Sequence, residues 1–82
     1  MALYTMYPVI QIDELEKAVN LQYDTDIDLR NALFSDGYFN DTCVYFYYDE
    51  TSVDDSTEVA LVKGYLEDIL PDYSCVLLDL AY

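Results

Sequence analysis

The sequence predicts an α+β fold: a small sheet of about three strands with about three helices, forming one compact domain over residues 1–82. Three observations carry this expectation. The apolar spacing alternates between a helical period and β-rich runs. Eighty-two residues are too few for two independent cores. A hydrophobic content of 54%, with 16% aromatic residues, gives enough apolar surface to fold a chain whose acidity alone would favour disorder.

Residues 1–12 carry no charged side chain, and Leu3 to Tyr7 suggest a short strand that Pro8 confines to a sheet edge. Asp13 to Tyr23 read as a helix: Ile12, Leu15, Ala18, Val19 and Tyr23 recur at helical spacing, and Asp13, Glu14 and Glu16 favour its positive N-terminal end. Thr25 and Asp28 approximate a capping box for a second helix with Leu29, Ala32 and Leu33 inward, ending near Asp36–Gly37. Cys43 to Tyr48 are aromatic and β-branched, the strongest strand signal in the chain. After an acidic loop from Asp49 to Asp55, a second box, Asp55 with Glu58, opens a helix that runs to about Leu70 and stops at Pro71. Its stripe is Val59, Val62, Leu66 and Ile69, widened by Leu61, Tyr65 and Leu70. Ser74 to Leu80 form the last strand, with Val76, Leu78 and Leu80 on one face. A helix between the last two strands suits a parallel, right-handed crossover.

Charge narrows the function. Seventeen Asp and Glu face only Lys17, Arg30 and Lys63, with no His, for a formal charge of −14. Phosphate contacts need Lys and Arg, so direct nucleic-acid binding is excluded. An anionic membrane repels the chain for the same reason. No basic leader with a cleavage site and no apolar run of about 20 residues is evident, so the expected location is cytoplasmic, the host cytoplasm if the protein is phage-encoded. So modest a core is compatible with a homodimer sharing apolar surface. Cys43 and Cys75 match no metal or redox spacing and read as reduced core thiols, with a disulfide open to them if their strands are neighbours.

No cofactor, metal or enzymatic activity is expected. A calcium loop beginning at Asp24 would place Leu29 and Ser35 where Gly and a bidentate Glu are required. Carboxylate pairs arise by chance among seventeen acids, and a Ser or Cys nucleophile finds no evident base.

The charge is unevenly distributed. Residues 24–58 hold ten acids against Arg30, on helix ends and loops. Spread over the roughly 5,000 Å² of surface that a chain of this mass exposes, −14 imitates DNA poorly; gathered on half of it, it approaches phosphate density. It also exceeds the net charge of about 2–8 that solubility asks of a small domain. Adaptation to high salt is the competing explanation. The expected contact set is Asp24, Asp26, Asp28, Asp36, Asp41, Asp49, Glu50, Asp54, Asp55 and Glu58, with Tyr38 and Tyr48 as anchors. Ten tyrosines without a tryptophan add to this, since tyrosine is favoured at interfaces. Tyr45 and Tyr47 share one strand face, opposite Val44, Phe46 and Tyr48, while Tyr23 and Tyr65 read as covering helices.

In size, acidity and tyrosine-bearing acidic surface the chain resembles the DNA-mimic inhibitors of phages and mobile elements, the anti-restriction and anti-CRISPR proteins. The resemblance lies in composition and charge layout and transfers no motif. It implies a protein whose carboxylates take phosphate positions in the basic nucleic-acid-binding groove of a host defence or DNA-processing protein. Two other classes share the acidity: antitoxin or immunity-type inhibitors of nucleases, with a loosely barstar-like order of elements, and acidic adaptor subunits with a basic partner.

Overall fold

A computed structural model describes residues 7–38, 43–50 and 54–80. The order is β1 (Val9–Gln11), α1 (Ile12–Tyr23), α2 (Leu29–Ser35), β2 (Cys43–Tyr47), α3 (Thr57–Ile69) and β3 (Cys75–Asp79). The predicted α+β class is what forms: three helices and a three-stranded mixed sheet, in the order β1-β3-β2.

The first strand among the described residues follows Pro8, and residues 3–6 of the Leu3–Tyr7 segment that sequence suggested fall outside the described residues. Pro8 still marks the edge, because its carbonyl accepts from Leu77 N–H at 2.9 Å as β1 joins β3 in parallel. The expected parallel crossover through α3 does not occur: β2 and β3 are antiparallel. Register also excludes a Cys43–Cys75 disulfide. Cys43 stands opposite Asp79 and Cys75 opposite Tyr47, so the two backbones are about four residues, or ~13 Å, apart along the sheet. A disulfide needs Cα atoms within about 7 Å. Cys75 is a buried free thiol, and burial pushes its pKa up from 9.0.

The helices cover one sheet face. Val44, Phe46, Tyr48, Val76, Leu78 and Leu80 meet Ile12, Leu15, Val19, Leu29, Leu33, Val59, Val62 and Leu66 in one core. Ile69, placed on the α3 stripe by its spacing, is instead exposed in the last turn. Tyr23 and Tyr65 pack edge to face at 6.3 Å, partly buried against the core.

Both capping boxes are displaced by one to three residues. Asp28, not Thr25, caps α2, accepting from Asn31 N–H at 3.3 Å. Ser56, not Asp55, caps α3 through Val59 N–H. Thr25 instead donates its hydroxyl to Asn20, whose side chain also accepts from Ile27 N–H at 2.7 Å and donates to Ile27 O at 3.0 Å. One amide thus clamps the α1–α2 turn, where Asp24 adopts the left-handed conformation with φ 54°. Glu16 reaches from α1 to accept from Leu29 N–H, satisfying a backbone donor at the start of α2.

Candidate functional site: acidic grooves beside the third helix

The carboxylates collect on two sides of α3. Asp26, Asp28, Asp36 and Glu58 line a groove between α2 and the start of α3. Asp49, Glu50, Asp55 and Glu67 line a second, between the end of β2 and the flank of α3. Glu58 and Glu67 are nine residues apart, which on a helix turns them about 180° from each other. Eight of the seventeen acids therefore flank one helix.

The expected contact residues divide by environment. Asp24, Asp26, Asp28, Asp49, Glu50, Asp54 and Glu58 are exposed. Asp36 is half-buried, its carboxylate accepting from Ser56 N–H at 2.6 Å where α3 begins. Asp41 lies outside the described residues. Three members of the set are corrected. Asp55 does not face a partner: its side chain is 8% exposed and forms an ion pair with Lys63 while accepting from the Tyr38 hydroxyl at 2.7 Å. Tyr38 is therefore held by Asp55 and packs edge to face on Phe46 at 5.3 Å, so it is no free anchor. Tyr48 is buried, and its hydroxyl donates to Leu70 O at the C-terminus of α3. Burial raises the pKa of both tyrosines above 10.0, joined at Tyr38 by the hydrogen bond to Asp55.

Lys63 is the residue that sequence reading missed. Its ammonium donates to Asp55 and to Glu50 O, and lies 5.7 Å and 5.8 Å from the ring centroids of Tyr38 and Phe46. Burial alone pushes its pKa down, but the bonds to Asp55 and Tyr38 outweigh that and leave it raised. The signal was in the spacing: position 63 falls among Val59, Val62 and Leu66, on the buried stripe of α3. Lys63 lies at the floor of the second groove, and Arg30 pairs with Asp13. Of the three basic residues only Lys63 is buried; Lys17 is exposed on α1.

Among the described residues, no group of three or more Cys, Asp or Glu is arranged to hold a metal ion. No helix there is long and apolar enough to cross a membrane. Comparison with known proteins finds no matching family model, no curated relative and no matching solved structure.

Proposed function

We propose that this protein is an acidic decoy that occupies the basic nucleic-acid-binding groove of a host defence or DNA-processing protein, with its carboxylates in place of phosphates. The observation that supports this reading is the convergence of Asp26, Asp28, Asp36 and Glu58 on one side of α3 and of Asp49, Glu50 and Glu67 on the other. Averaged over 5688 Å² of surface, fourteen charges stand about 400 Å² apart, far sparser than DNA. The carboxylates of each groove form a locally denser field on its own side of α3, which would steer a basic groove into contact and then bond its Arg and Lys side chains.

Asp26, Asp49 and Glu50 are the residues to reverse, because Asp28, Asp36 and Asp55 also hold the fold. The immobilised protein is used to capture partners from a bacterial lysate at low salt, and bound proteins are challenged with duplex DNA. Elution by DNA, and loss of capture by Asp26→Lys/Asp49→Lys/Glu50→Lys at unchanged circular dichroism, are expected. Partners that resist DNA, or bind the triple variant as well as the parent, would overturn the proposal. A single toxin nuclease as the only catch would assign the protein to the immunity class instead.

A further inference from the structure

The face of the sheet opposite the helices is partly exposed among the described residues, although Cys75 of the central strand, in register with Tyr47, is fully buried there. At its outward positions Val9 is 62% exposed, Tyr45 58% and Tyr47 40%, with Leu77 half-buried between them in register. Asp79 is the one carboxylate at an outward strand position among the described residues. Tyr7 meets Tyr45 edge to face at 6.1 Å. Beyond Tyr47 the strand runs directly into exposed Asp49 and Glu50. The result is an aromatic centre with an acidic rim, the layout in which interface energy concentrates.

We infer that the exposed tyrosines of this sheet face dock an arginine-bearing protein surface, with guanidinium groups stacked on Tyr45 and Tyr47. The inference rests on the proposed basic partner and names the chemistry that partner presents. Charge complementarity selects the occupant: a field of −14 draws a basic surface and repels a second copy of the chain. Three short strands also cover only about 250 Å² at the usual strand spacing and rise. A stable interface needs roughly 800 Å² per partner, so the face serves as the centre of a larger contact whose remainder is acidic. Arginine is favoured over lysine because its planar, weakly hydrated cation stacks on an aromatic ring, whereas an ammonium keeps its water.

Fluorescently labelled peptides of ten arginines and of ten lysines, titrated at one salt concentration, test this. The arginine peptide is expected to bind about five- to thirty-fold more tightly, the range two exposed cation–π contacts give. Tyr45→Thr/Tyr47→Thr keeps β propensity and is expected to erase the preference, leaving lysine-peptide affinity within about twofold. Tyr45→Phe/Tyr47→Phe keeps the rings and should keep the preference. Asp26→Lys/Asp49→Lys/Glu50→Lys should weaken both peptides alike, so loss of affinity there with no role for the tyrosines would sink this inference and leave the decoy reading standing. Equal affinity of the parent for both peptides, a preference that survives the Thr variant, or a parent dimer in sedimentation that the Thr variant dissolves would each overturn it.

Discussion

Replacing Lys63 with Met removes the cation from a site that has almost no solvent to compensate. The Lys63 and Asp55 side chains are 10% and 8% exposed, and the ammonium is held by Asp55, by Glu50 O and by two aromatic rings. Met fills the aliphatic volume but leaves the Asp55 carboxylate without its counter-ion. Breaking one side of a buried pair costs about 3–5 kcal/mol. A domain of this length has about 4–12 kcal/mol in total, so Lys63→Met forfeits a large share of its stability. At about 4–8 °C per kcal/mol for a domain of this size, Tm falls by at least about 12 °C. The double variant Lys63→Met/Asp55→Leu removes both desolvated charges and should recover most of the loss. Urea denaturation of the parent, both single variants and the double variant, followed by circular dichroism, gives the coupling energy directly. A single-variant loss under about 1 kcal/mol would mean that the pair behaves as an exposed one, and the argument for a desolvated cation would fail.

Two further perturbations follow from the same interior. Tyr38, Tyr48, Lys63 and Cys75 all have raised pKa values in the fold, so at alkaline pH the unfolded chain loses protons first. Stability should hold up to about pH 9 and fall as pH climbs through the raised values, beginning above 9.0 for Cys75, 10.0 for the tyrosines and 10.5 for Lys63; urea midpoints at pH 8, 10 and 11 measure it, and a rising midpoint would contradict the assignment. Asn20→Ala strands Ile27 N–H and Thr25 Oγ1 in the α1–α2 turn, with an expected cost of about 1–3 kcal/mol in thermal or urea melts; a neutral result would show that water replaces the clamp.

Local order was legible and long-range order was not. The spacing of Leu15 and Val19, of Val59, Val62 and Leu66, and the alternation along Val44–Tyr48 fixed which residues face the core, because burial follows directly from helical and strand periods. The antiparallel pairing of β2 with β3 was not legible. A short link forces a helical crossover to return the chain to its starting end, but residues 48–56 between β2 and α3 are long enough to let the helix begin from either end. The site was readable as a region and misread in detail. Sequence placed acids at helix starts correctly but could not show that Ser56, one residue on from Asp55, takes the cap, freeing Asp55 to turn inward to Lys63. Tyr48 was misassigned although its alternation with Phe46 was known. A tyrosine hydroxyl can be buried when it reaches a carbonyl, and the carbonyl of Leu70 lies 22 residues further along the chain.

The arrangement of acids bears on why the chain is so acidic. Several carboxylates hold the fold together: Glu16 and Asp28 bind backbone N–H groups at the start of α2, Asp36 binds Ser56 N–H, and Asp55 holds Lys63 and Tyr38. A carboxylate at a helix N-terminus is stabilising whatever the net charge, so these positions need no external partner to explain them. The remainder, including Asp24, Asp26, Asp49, Glu50 and Glu67, raises self-repulsion without such a return. Adaptation to salt would distribute that remainder over every solvent-facing surface. Within that remainder Asp26, Asp49, Glu50 and Glu67 line the two grooves beside α3, while Asp24, Asp68 and Asp72 lie exposed outside them. Acids clustered in a groove cost more repulsion than acids spread evenly at the same net charge, a cost that the proposed contact with a basic partner would offset.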